Sequence, residues 1–258
     1  MSQHIDKQLV RRRFGGSLNS YSNHAVVQKT MARELSEIIC HSGPPPLFNR
    51  VLEVGSGSGS FMAELLRRSV VDTYYANDLA EESLQFLQGV LERFPVREFH
   101  FLAGDIETLQ ELPSGLDLVA SNATLQWLDD LDSFFGNMAA RLRHGGMLAF
   151  SSFGTSTMQE ISAIEGVGLA YYTLVELEKL AGKYFEVTLC REEMLRLQFS
   201  SPEDVLHHIR QTGVNGLVRR SWTKSRYRNF IEQYRQRFSC EEGVYLTYHP
   251  LYCCMKKR

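Results

Sequence analysis

Between Arg50 and Phe153 the chain repeats one unit: a short apolar run, a turn of small or acidic residues, then an amphipathic stretch. Arg50-Val51-Leu52-Glu53-Val54, Thr73-Tyr74-Tyr75-Ala76, Phe99-His100-Phe101-Leu102, Leu116-Asp117-Leu118-Val119-Ala120 and Met147-Leu148-Ala149-Phe150-Ser151 read as strands. Helices are expected over Phe61 to Arg68, Glu81 to Phe94 and Leu131 to Arg143, the last closed by Gly145-Gly146. Units of about 25 residues that alternate in this way give a parallel sheet with helices on both faces, joined by right-handed crossovers. The flanks follow other patterns. Residues 1–45 read as a polar, basic start followed by a helix from Val26 to Ile39, which Gly43-Pro44-Pro45-Pro46 ends. Residues 155–240 read as a helix-rich cap, and 241–258 as two tightly joined strands, a closing hairpin. No internal repeat or linker divides the chain. The expectation is a single domain over 1–258, with an N-terminal segment at 1–45 and the α/β core at 46–154.

Composition narrows the class of partner. The chain of 258 residues carries 28 Lys and Arg against 30 Asp and Glu, a net charge of −2, so no global basic field recruits nucleic acid. No apolar run approaches the roughly 18 residues of a membrane-spanning helix, and the start, Met1-Ser2-Gln3-His4-Ile5-Asp6, lacks the apolar core of a secretory signal. A cytoplasmic protein is expected. The five cysteines, Cys40, Cys190, Cys240, Cys253 and Cys254, are odd in number and scattered, which is neither a disulfide framework nor a metal-ligand spacing. They read as small core hydrophobes, and no metal is expected.

The chemistry concentrates at the strand ends. Glu53-Val54-Gly55-Ser56-Gly57-Ser58-Gly59 follows an apolar strand and opens a helix, the setting of a nucleotide-binding turn. Glycines let the backbone turn tightly and let a ligand approach the amides. The spacing is GxGxG rather than the GxGxxG of a dinucleotide fold. The acid two residues ahead of it, Glu53, suits a ligand with a cationic amino group better than a pyrophosphate. That argues against a dehydrogenase. Asp78, 23 residues past Gly55, closes the second strand where a carboxylate can accept from both ribose hydroxyls. Asp105 closes the third, where it can accept from an adenine amine with Ile106 against the ring. Each acid alone is more often a helix cap or a solvated loop residue; the three in register, facing one crevice, reverse that reading.

On these residues the stretch from Val51 to Phe153 resembles the core of class I S-adenosylmethionine-dependent methyltransferases. The resemblance implies a Rossmann-like sheet of seven strands in the order 3-2-1-4-5-7-6, the last antiparallel. It implies S-adenosylmethionine as the cofactor. Carried over residue by residue, the cofactor-binding set is Glu53, Gly55, Gly57 and Gly59, then Asp78 with Leu79, Asp105 with Ile106, and Asn122 with Ala123.

A narrower resemblance covers nearly the whole chain. Phe14 with Ser20-Tyr21-Ser22-Asn23-His24-Ala25 and Gln28, the run from Asp117 to Trp127, Ser151 through Glu160, and Phe199-Ser200-Ser201-Pro202 through Gly216 are similar to the malonyl-acyl-carrier-protein O-methyltransferase family of biotin synthesis. That family methylates the free carboxylate of a malonyl thioester. The resemblance implies catalytic roles for Tyr21, closing over the methyl, and for Asn122 and Trp127 on the donor side, beside Gln126. Trp127 reads equally as core packing beside Leu125 and Leu128, and His24 as a structural histidine. Phe153 and Thr155, with Thr157, are expected to shape the acyl pocket.

The partner implied is an acidic carrier protein. From Leu217 to Arg237 seven basic residues, among them Arg219, Arg220 and Arg226, face one acid, Glu232. That patch suits an acidic partner, although charge alone also fits a solvated helix. Its aromatics, Trp222, Tyr227 and Phe230, match no nucleic-acid motif. Two other readings stay open: a methyltransferase for a free small acid, and a non-catalytic protein that binds S-adenosylmethionine.

Overall fold

A computed structural model describes residues 6–12, 25–40, 45–166, 169–211 and 222–258. After a short helix α1 (7–12) come α2 (Val26–Ile39), β1 (Leu47–Val54), α3 (Ser60–Arg68), β2 (Val70–Asp78), α4 (Ser83–Leu91), β3 (Glu98–Ala103) and β4 (Leu116–Asn122). A 3-10 turn (Leu125–Trp127) leads to α5 (Leu131–Arg141) and β5 (Leu142–Phe153). The remainder is α6 (Gln159–Glu165), α7 (Leu174–Ala181), β6 (Phe185–Glu192), β7 (Leu195–Phe199), α8 (Pro202–Gln211), α9 (Lys224–Arg237), β8 (Ser239–Cys240), β9 (Gly243–Tyr248) and β10 (Pro250–Lys257).

Seven strands form one sheet in the order β3-β2-β1-β4-β5-β10-β6. Its first five are parallel, and β10 lies antiparallel between β5 and β6. This is the order 3-2-1-4-5-7-6 with β10 as the seventh strand. Side chains alternate across each strand, so consecutive residues feed opposite cores. Val51, Tyr74, Leu118 and Ala149 pack with α2 and α3, while Leu52, Val119, Leu148 and Phe150 pack with α5 and α7. Burial on both faces explains why the central strands read as continuous apolar runs.

Three details differ from the sequence expectations. First, Gly145-Gly146 do not close the fifth helix. α5 ends at Arg141 because Leu142, buried and paired with Leu116, is already extended. The glycines sit inside β5, where the register against β4 shifts, and a Cβ on Gly146 would stand 2.9 Å from the carbonyl oxygens of Arg143 and Leu116.

Second, residues 244–248 and 250–257 are strands but not a hairpin. A single residue, His249, separates them, and the tightest common hairpin loop has two. The chain instead changes sheets there: β9 pairs with β7 and β8 in a separate three-stranded sheet, and β10 joins the main sheet. Third, residues 155–240 are not uniformly a helical cap. β6 completes the main sheet and α7 covers its face, while α6, α8, α9 and the small sheet form the cap. Phe230, Tyr234, Val244 and Leu246 from the cap belong to the same buried cluster as the inner faces of α2 and α3.

Candidate active site

The carboxyl ends of β1 to β4 open into a crevice of about 1070 Å³, counting solvent at its mouth. Glu53, Gly55, Gly57, Asp78, Leu79, Asp105, Ile106, Asn122, Ala123 and Trp127 all line it. Nine of these are expected cofactor residues and the tenth, Trp127, an expected catalytic one. They lie at the ends of different strands or in the turns that follow them, and the parallel order brings those ends together.

The glycine turn is built by backbone geometry. Gly55, Gly57 and Gly59 have φ of +76°, +49° and +74°, a region that side chains disfavour. The N–H groups of Gly55 and Ser56 both donate to the Asn77 carbonyl at 2.9 Å, which ties the turn to the end of β2. A Cβ on Gly55 would overlap the Thr124 side chain at 2.2 Å, whereas at Gly57 it would meet nothing within 4 Å. The turn is therefore packed against protein at its first glycine and open toward the crevice at its second.

Glu53 is fully buried, and its Oε2 accepts from the Tyr74 hydroxyl at 2.6 Å. Burial pushes its carboxyl up to about 8; the Tyr74 bond opposes this and the charge of Asp78 adds to it. A carboxyl poised in this way ionises when a cationic amino group arrives. Asp78 is engaged as well: Oδ2 accepts from the Gly57 N–H at 2.7 Å and Oδ1 from the Ala80 N–H at 2.8 Å. Burial raises its carboxyl, and those two bonds work against it. Each oxygen can still accept a further hydrogen bond.

At the end of β4, Asn122 donates from Nδ2 to the Gln28 carbonyl at 3.1 Å and accepts from the Ser151 hydroxyl at 2.7 Å. This pins α2 over the site. Ala123 has φ +52°, one of two non-glycine residues with positive φ among those described. Its N–H donates to the carbonyl and hydroxyl oxygens of Ser151, both at 3.1 Å, which fix this strained turn.

Other expected residues lie elsewhere. Gly59 caps α3 behind the turn, where a Cβ would stand 2.9 Å from Val90. Gln126 does not line the crevice; its amide donates to the Ala123 carbonyl and its oxygen accepts from Ser152. Phe153 is buried against Tyr171 and Tyr248, Thr155 is exposed, and Thr157 accepts from the His249 N–H, so none of the three walls this crevice. Arg226 forms an ion pair with Glu165 and lies over the Trp222 ring. Tyr21, His24, Arg219 and Arg220 lie outside the described residues. Gln28 and Thr124 carry part of the family resemblance in the sequence but were given no site role, and Asn77 and Lys7 were missed; all four line the crevice. Asn77 left a signal of its own, a polar residue beside the acid at a strand end.

A buried carboxyl at the base, an open glycine turn and two strand-end acids fit a ligand with an amino acid head and a nucleoside tail. Comparison with known proteins agrees. Residues 52–150 match a family profile described as a methyltransferase domain. A malonyl-(acyl-carrier protein) O-methyltransferase from Chlorobium luteolum is 51% identical over 253 residues, covering 98% of this chain and 96% of the relative. One of the same name from Prosthecochloris aestuarii is 49% identical, covering 99% and 95%. The chain belongs to the malonyl-(acyl-carrier protein) O-methyltransferase family. Among solved structures, the YcgJ protein from Bacillus subtilis matches with a TM-score of 0.63 at 13% identity, over 87% of this chain and 98% of that one; this likeness concerns the fold alone. Membership in the malonyl-(acyl-carrier protein) O-methyltransferase family makes the chain an S-adenosylmethionine-dependent O-methyltransferase of class I.

Proposed function

We propose that the chain methylates the free carboxylate of a malonyl group carried on an acyl-carrier protein, the methyl ester then entering biotin synthesis. The observation that carries this reading is the extent of the match: relatives of that name align over 98–99% of the chain, cap included.

The donor, when bound, supplies a methyl group already activated on a sulfonium. As the acceptor oxygen bonds to that methyl the carbon–sulfur bond breaks, giving an ester and a neutral thioether. A malonyl carboxylate is ionised at neutral pH, so no general base is required and the protein's task is alignment. Proximity and orientation can supply roughly 7–11 kcal/mol. In this reading Glu53 holds the amino group, Gly57 leaves room for the amino acid head, Asp78 takes the ribose and Asp105 the adenine amine. Asn122 and Ala123 form the wall beside the methyl and Trp127 excludes water; Tyr21, outside the described residues, stays the catalytic candidate of the family resemblance.

An acidic carrier would meet the cap at α9, whose Lys224 and Arg228 are exposed. No helix among the described residues is long and apolar enough to cross a membrane, and a cytoplasmic site of action fits a carrier-bound substrate. Mass spectrometry after incubation with S-adenosylmethionine tests the reading, with malonyl-carrier protein, malonyl-coenzyme A and free malonate offered in parallel. One added methyl on the carrier-bound malonyl group, lost in Asp78→Ala, is the expected outcome. Methylation of free malonate alone would make it a small-acid methyltransferase, and donor binding without transfer to any of the three would make it a binding protein.

A further inference from the structure

At the adenine end of the crevice, a residue from the far N-terminus stands among three carboxylates. The Lys7 ammonium donates to Asp105 Oδ2 at 2.7 Å and to Glu107, and lies 3.8 Å from Asp129 Oδ2. These partners are about 100 residues away in sequence, so the contact is tertiary. The Lys7 side chain is 19% exposed, and those of Asp105 and Glu107 are 20% and 15%. At this burial an ion pair is screened less than one on the open surface. Burial works against the ammonium, and the bonds to Asp105 and Glu107 outweigh it, so Lys7 stays charged.

Glu107 does more than pair with Lys7. Its two oxygens accept from the N–H groups of Asp129 and Asp130, at 3.0 and 2.8 Å, and so hold the loop that follows Trp127. Lys7 thereby joins α1 to two walls of the crevice: the loop after β3, which carries Asp105 and Ile106, and the loop that leaves the 3-10 turn at Leu128, directly after Trp127. α1 is capped at its start by Asp6, whose Oδ1 accepts from the Leu9 N–H, and its Val10 and Arg11 also line the crevice. Asp105 is not saturated by this arrangement. Oδ2 takes Lys7 and Oδ1 takes the Glu107 N–H at 3.1 Å, and each oxygen keeps an acceptor site. An adenine amine and Lys7 can share the same carboxylate.

We propose that Lys7 is the clasp of the donor site: its ammonium fastens α1 across the adenine end of the crevice, so that an adenosyl ligand leaves only when Lys7 lets go of Asp105 and Glu107. This rests on reading the crevice as the donor site. It assigns Lys7 a positioning role, acting on the retention of donor and spent product rather than on the transferred methyl.

The test uses the full-length protein and S-adenosylhomocysteine, with the dissociation constant from calorimetry and the off-rate from rapid dilution. Lys7→Met is expected to raise the off-rate about tenfold with little change in on-rate, while Lys7→Arg stays near wild type. Glu107→Gln should weaken retention less once Lys7 is already Met, because the two act through one contact. Tryptic cleavage after the exposed Arg11 and Arg12 gives an independent readout. S-adenosylhomocysteine should slow it in wild type and leave it fast in Lys7→Met. An unchanged off-rate and cleavage pattern in Lys7→Met, while wild type still binds, overturns the clasp and leaves the donor site standing. Tighter binding in Lys7→Met also overturns it, since Lys7 would then be competing with adenine. If wild type fails to bind the ligand, both the donor reading and the clasp fall.

Discussion

Glu53 shows what a carboxyl buried beside a crevice costs the fold. Its carboxyl ionises near pH 4.5 when exposed, and burial in the fold pushes it up to about 8. Between these values the folded chain holds more protons than the unfolded one, so this group's contribution to stability falls as pH rises, by at most about 5 kcal/mol. Glu53→Gln escapes that cost while its amide oxygen can still accept from Tyr74. Thermal unfolding of the ligand-free variant should therefore show little gain at pH 5 and a clear gain at pH 8. Donor binding runs the other way. An incoming ammonium needs the ionised carboxylate, so binding releases a proton below about pH 8. Affinity for S-adenosylhomocysteine should then rise by up to tenfold per pH unit between about pH 6 and 7.5. In Glu53→Gln it should be weaker and flat with pH. A wild-type affinity that does not vary over that range would remove Glu53 from the ammonium site. The acids and glycines here were legible in sequence because their spacing is local to strand ends. Lys7 and Thr124 were not, because what gives them meaning is a contact with residues about 100 and 70 positions away.

At the scale of elements, α2 carries more than its share of the site. Val27, Met31, Leu35 and Ile39 recur at intervals of four residues and are all buried, which is why the helix was readable from periodicity. That stripe packs onto the sheet, and through the Gln28 carbonyl the helix holds Asn122 at the end of β4. Leu35→Ala removes a side chain with no exposed surface, for an expected loss of about 2–5 kcal/mol in denaturant unfolding. Since the same helix roofs the crevice, donor affinity should fall with it, whereas Val26→Ala, on the exposed face, should alter neither. The elements that sequence misplaced share one cause. Gly145-Gly146 reads as a helix stop, and Gly243 through Cys254 as a hairpin, when only local propensity is weighed. The pairing of Leu142 with Leu116, and of Tyr248 and Pro250 with partners in different sheets, decided both. Long-range register leaves no local mark.

For the molecule as a whole, the open question of mechanism is how a cap fused to a donor-binding core selects a protein-borne substrate. The basic stretch on α9 divides into two groups. Arg226 is paired with Glu165, whose side chain is 6% exposed, and Arg235 with Glu203, so these arginines fasten α9 within the cap. Lys224 and Arg228 stand exposed on the same helix, in a chain whose net charge is −2. Structural and docking roles therefore separate by substitution. Arg226→Glu would set two carboxylates against each other in a half-buried place, and should cost on the order of 3 kcal/mol in unfolding, with activity lost alongside stability. Reversal of Lys224 and Arg228 to Glu should leave the unfolding midpoint unchanged and raise KM for malonyl-carrier protein several-fold, mostly at low salt. Methylation of malonyl-coenzyme A, to whatever level it occurs, should not respond to that reversal, because a small thioester does not need the protein–protein surface. An equal loss on both thioesters would place the effect in the crevice rather than on the docking face. No change on either would move the carrier to another side of the molecule.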